Sequence, residues 1–97
     1  MAKRERAQTK TTVKILDRKR IMSAREIRVV IKGGKLFTFK ISRPLLNEKK
    51  LILHDESGAV VMITSINKMP RDIEEYFKKS GMEPLYIYPA SQKALVE

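Results

Sequence analysis

Between Glu26 and Thr64 the chain alternates apolar and polar residues with a period of two, the signature of strands with one face turned to a core. Residues 26–41 place Ile27, Val29 and Ile31 on one face, then Phe37, Phe39 and Ile41 on one face after Gly33-Gly34. A two-residue glycine loop would mix the faces of this hairpin. A three-residue loop, Gly33 to Lys35, instead pairs Ile31 with Phe37, Val29 with Phe39 and Ile27 with Ile41, and a five-residue loop keeps that register. The three-residue loop sets Lys35, rather than a glycine, at its left-handed position. Residues 50–64 predict a second hairpin around Glu56-Ser57-Gly58, with Leu53 opposite Val61 and Leu51 opposite Ile63. Its other face, Ile52, His54, Val60 and Met62, is largely apolar too, so this hairpin calls for cover on both sides, as in a barrel or beneath a helix.

Around this centre the pattern is sparser. Val13 and Ile15 alternate with Thr12 and Lys14, predicting a first strand over Thr11–Leu16, followed by a polar link, Asp17-Arg18-Lys19-Arg20. Residues 21–25 are ambiguous, with Ser23 a possible cap of a helical turn. Pro44 ends the strand before it and opens a loop over residues 42–50. Pro70 suits the start of a helix, with Asp72, Glu74 and Glu75 near its positive end, Lys78 and Lys79 near its negative end, and Gly81 as its stop. Met69, Ile73, Tyr76 and Phe77 form its core stripe, and Glu74–Lys78 and Glu75–Lys79 are spaced to pair across one turn. Pro84-Leu-Tyr-Ile-Tyr-Pro89 predicts a last strand, placed at a sheet edge by its flanking prolines. The expected fold is therefore α+β: a small, mostly antiparallel sheet or partly closed barrel built from two hairpins, with one C-terminal helix and a final edge strand. Its organisation is a flexible basic arm (residues 1–10), a single domain (11–89) and a tail (90–97).

Composition narrows the partners. In 97 residues with net charge +10, residues 1–20 and 21–53 each carry +6 and residues 54–97 carry −2. That asymmetry favours a polyanion on one face, nucleic acid first and an acidic membrane surface second. The polar face of the first hairpin holds Arg28, Lys32 and Lys40, with Lys35 at its tip. Together with Arg43, Lys49 and Lys50 of the following loop, and Lys14, Arg18, Lys19 and Arg20 upstream, these are the candidate phosphate-binding residues. Tyr86 and Tyr88 share one face of the last strand, either as base-stacking rings or as packing residues.

Several chemistries drop out. There is no cysteine and only one histidine, so neither a disulfide framework nor a zinc site is expected, and no cofactor is implied. No apolar run approaches the ~20 residues of a membrane helix, and the charged N-terminus does not read as a secretory signal. The expectation is a soluble, cytoplasmic chain with no membrane partner. No Gly-rich phosphate loop or nucleophile motif is present. His54-Asp55-Glu56 is the only cluster of acid–base residues, and neighbours along a strand point to opposite faces. His54 is therefore read as structural and the chain as non-catalytic, with a small ribonuclease toxin as a minor alternative.

The segment Ile-Arg-Val-Val-Ile-Lys-Gly-Gly-Lys-Leu-Phe-Thr-Phe-Lys-Ile, followed by Lys-Leu-Ile-Leu-His-Asp-Glu-Ser-Gly-Ala-Val-Val-Met-Ile, resembles the strands of Sm-like (Hfq-type) β-barrels. The resemblance covers residues 26–64 and implies a ring-forming, single-stranded-RNA-binding protein. The family's loop asparagine lies closer to its strand than Asn47 does, and its second signature has no counterpart at Ile63-Thr64, so no binding residue is carried over. Residues 70–85 also look like the closing helix and strand of small sulfur-relay proteins, whose reactive cysteine this chain lacks. The expected function is nucleic-acid binding, with RNA or single strands favoured over duplex DNA, in a chain that could be a homo-oligomer. The alternative is a regulatory module of phage or mobile-element type that docks on a host protein.

Overall fold

A computed structural model describes residues 11–47 and 49–90. The elements, in chain order, are β1 (Lys14–Ile15), α1 (Arg18–Ser23), β2 (Glu26–Ile31), β3 (Leu36–Ser42), β4 (Lys50–His54), β5 (Val60–Ser65), α2 (Met69–Lys78) and β6 (Pro84–Pro89). The strands form one sheet in the order β1-β6-β2-β3-β4-β5, curled into a half-barrel. Every pairing is antiparallel except β1 with β6. The expected arm (1–10) and all of the expected tail except Ala90 lie outside the described residues. Ala90 itself donates its N–H to the Glu26 carbonyl at 2.9 Å, extending the ladder.

The core fills the inner face. Ile27, Val29 and Ile31 of β2, Phe39 and Ile41 of β3, Leu51 and Leu53 of β4, and Ile87 of β6 are buried together with Met69, Ile73 and Phe77 of α2. Three residues of the expected stripe thus lie in the trough of the sheet, whereas the fourth, Tyr76, stands 39% exposed at its margin. Met69 and Pro70 begin the helix, and the N–H of Met82 returns to the Phe77 carbonyl at 3.0 Å beyond Gly81, whose φ of 75° reverses the chain. The two Glu–Lys pairs expected along α2 do not form. Glu74 instead accepts a hydrogen bond from the Thr11 hydroxyl, tying the start of the described chain to the helix.

Both hairpins form, each with a correction. In the first, Val29 pairs with Phe37 and Ile27 with Phe39, two residues away from the expected partners. The faces are conserved, because the shift is even. The loop is Lys32-Gly33-Gly34, closed by the Ile31 N–H on the Lys35 carbonyl at 2.8 Å, so Gly34 at φ 103° takes the left-handed position that Lys35 would have held under strain. In the second, the loop is Glu56-Ser57-Gly58 as expected, with Gly58 at φ 95° and the Asp55 N–H on the Ala59 carbonyl. A bulge between Leu53 and His54 then moves the register by one, so Leu51 faces Thr64 rather than Ile63. Thr64 is buried in consequence, its hydroxyl donating to Asp72 Oδ2 at 2.6 Å, and Ile63 is 58% exposed.

Two further expectations are corrected. The strand β6 is not at an edge: it lies between β1 and β2. Its prolines are compatible with that place because β1 pairs only with Tyr86 and Ile87, leaving Pro84 and Pro89 beyond that ladder. The polar link at residues 17–20 is the start of α1. Asp17, at φ 59°, accepts the Arg20 N–H on Oδ1 at 3.3 Å and caps the helix, which then buries Ile21 completely.

Candidate functional site

The register places Lys14, Tyr86, Val30 and Leu36 in one row across the outer face of the sheet, Tyr88, Arg28 and Thr38 in a second, and Glu26, Lys40 and His54 in a third. Where α1 hands over to β2, this face is indented by a cleft of about 630 Å³ lined by Ser23, Ala24, Arg25, Glu26, Arg28, Lys40 and Ala90. Three cations therefore meet there against one carboxylate. Arg28 is half-buried, and its Nε–H finds no acceptor among the described residues. A buried guanidinium donor without a partner is costly, and an anionic oxygen is the group that satisfies it best.

The other candidates are dispersed. Lys14 is exposed on β1, in the same face as the cleft. At the first turn, opposite the cleft end of the strands, Lys35 is exposed and Lys32 pairs with Glu83 at 3.8 Å. Arg18 bonds Asn67, Arg20 pairs with Asp17 at 3.6 Å, and Lys19 is exposed on α1. Lys49 and Lys50 are exposed at the foot of β4. Arg43 has a structural role: its Nη2 donates to the carbonyls of Ile21, Met22 and Ala24 at 3.2, 2.5 and 3.0 Å, holding the end of α1. Arg25, which the sequence left in an ambiguous stretch, belongs to the cleft. Its signal is its place one residue before the basic strand.

Of the two tyrosines, Tyr88 is only 3% exposed, so its ring packs rather than offering a stacking surface. Tyr86 is half-buried, 6.5 Å from it between ring centroids. The His54 ring is fully engaged within the fold. Nδ1 donates to the Gly58 carbonyl at 3.2 Å and Nε2 accepts from the Ser42 hydroxyl at 2.7 Å, the tautomer that the carbonyl requires. Asp55 is a turn residue. Its Oδ1 accepts from the Ser57 hydroxyl and from the N–H groups of Ser57 and Ala59. The Ser57 hydroxyl above all, then the Ala59 N–H, holds its carboxyl below the usual carboxylate range.

Among the described residues no group of three or more His, Cys, Asp or Glu side chains is arranged to hold a metal ion, and no helix is long and apolar enough to cross a membrane. Comparison with protein-family models, with curated proteins and with solved structures finds no match to this chain.

Proposed function

We propose that this protein binds nucleic acid, RNA or single strands ahead of duplex DNA, through phosphate contacts centred on the Arg25–Arg28–Lys40 cleft. One observation carries the reading: two cations from neighbouring strands and Arg25 just before them converge on one concavity, and Arg28 keeps a buried donor without an acceptor. A phosphodiester oxygen matches both the charge and the missing hydrogen bond. Lys14 on the same face, and Lys19, Lys49 and Lys50 at the adjoining end, extend the positive field along a polymer. A preference for unpaired strands is supported by the helices. The six residues of α1 are too short to read a groove, and α2 lies in the trough of the sheet with its apolar stripe buried. The resemblance of residues 26–64 to Sm-like proteins points to the same class of polymer.

Filter-binding titration with RNA, single-stranded DNA and duplex DNA at two salt concentrations tests this. With three phosphate contacts on a single strand, affinity should fall about 20-fold between roughly 50 and 200 mM salt. Arg28→Gln and Lys40→Gln should each lower the slope by about one contact. Salt-insensitive binding, or none at low salt, would refute it.

A second reading, a protein-docking module, is favoured by Leu45 and Leu46, which stand 96% and 99% exposed on the β3–β4 loop. Docking by strand addition would use β5, the longer of the two terminal strands of the sheet, since β6 is paired on both sides.

A further inference from the structure

A second cleft lies away from the cationic one, between β3, the C-terminal half of α2 and the turn of the second hairpin. It has a volume of about 500 Å³, and its accessible rings are Phe37, half-buried, and Tyr76, 39% exposed, set over the buried core rings Phe39 and Phe77. Tyr76 stands at right angles to both core rings. Phe39 and Tyr76 lie 6.0 Å apart at 84°, and Tyr76 and Phe77 lie 5.0 Å apart at 87°. Asp55 and Glu56 reach its rim, and no lysine or arginine lines it. The Ser57 and Ala59 hydrogen bonds to Asp55 fall on Oδ1. Glu56 is exposed and forms no ion pair among them. On a chain of net charge +10, a concavity with only carboxylates for charge is selective against anions.

The strand forming one wall has an unusual edge. β3 bonds to β4 only through Lys40, Ile41 and Ser42, so Leu36 to Phe39 have β2 as their sole ladder neighbour. The open backbone edge of this half-strand borders the cleft.

We propose that this cleft binds the alkylammonium group of a lysine carried on an extended peptide, the peptide backbone lying along the open edge of β3. The exposed Tyr76 ring attracts a cation through its quadrupole, and the two carboxylates neutralise it. The strand edge supplies main-chain hydrogen bonds without demanding a particular sequence. This site uses none of the residues assigned to nucleic-acid binding, so the two proposals succeed or fail separately.

The test is an NMR titration of the full chain with the blocked peptide acetyl-Thr-Val-Lys-Val-Thr-amide. The same peptide with norleucine for lysine, a neutral near-isostere, serves as the control. The lysine peptide should shift the ring protons of Phe37 and Tyr76 and the amides of residues 36–39. The norleucine peptide should bind roughly tenfold more weakly. Tyr76→Leu should weaken binding by a similar factor and Tyr76→Phe should restore it. Tyr76 is 39% exposed, so both variants are expected to fold. Equal affinity for the norleucine peptide, shifts outside the cleft, no shift at all, or n-butylammonium binding as tightly as the peptide would each overturn the proposal.

Discussion

Charge alone groups Arg43 with ten other basic residues, yet its guanidinium serves three carbonyls at the end of α1. Charge patterning identifies cations but not their partners, because a helix end and a phosphate present similar acceptors to the same side chain. Replacing it separates the two roles. Arg43→Met should cost about 2 kcal/mol of stability in urea unfolding, from carbonyls left without a donor, and should leave the salt dependence of nucleic-acid binding unchanged. Asp55 permits an equally direct test. Its carboxyl is held below its ordinary value in the fold, chiefly by the Ser57 hydroxyl, so the stability it contributes is complete above its unfolded pKa of about 3.9. That contribution is lost as pH falls through the lower, folded value. Melting temperature measured across pH 7 to 2 should therefore decline less steeply at its acid end in Asp55→Asn than in the parent chain.

Among the elements, alternation was the legible part. Every strand that carried a clear period of two exists, and the helix stripe at Met69, Ile73 and Phe77 is buried as its spacing requires. Register was legible only where turn chemistry decided it. The two glycines permit two three-residue loops with the same faces, and the structure takes the one that gives Gly34, not Lys35, the positive φ. Beyond its chain neighbours no heavy atom lies within 4 Å of a Cβ built on Gly34, so Gly34→Ala would isolate the backbone cost, about 1–2 kcal/mol by thermal or urea unfolding. The bulge in the second hairpin had no such marker. Both of its faces are apolar, so hydrophobicity could not show that Thr64 turns inward to Asp72 while Ile63 turns out. The short helix α1 was hidden for a different reason. Its polar, basic first turn reads as a linker until Asp17 is seen to cap it and Ile21 to anchor it.

For the molecule as a whole, sheet order is what local pattern could not supply. Prolines at both ends of β6 argued for an edge, but a neighbour as short as β1 needs hydrogen bonds only from the middle of that strand. The candidate cleft shares this limit: Arg25, Arg28 and Lys40 are visible as cations in the chain, while their meeting beside Ala90 depends on where β6 runs. The position of β6 also governs when the fold can come into being. As the chain is synthesised, the two hairpins and α2 emerge before it, with the outer flank of β2 unpaired and β1 without any neighbour. Only when residues 84–89 have left the ribosome can the strand slip between them and join segments from opposite ends of the described chain. Such long-range closure raises the contact order and slows folding. For that interval the nascent protein presents an open β edge, which a chaperone could shield or a second nascent chain could seize.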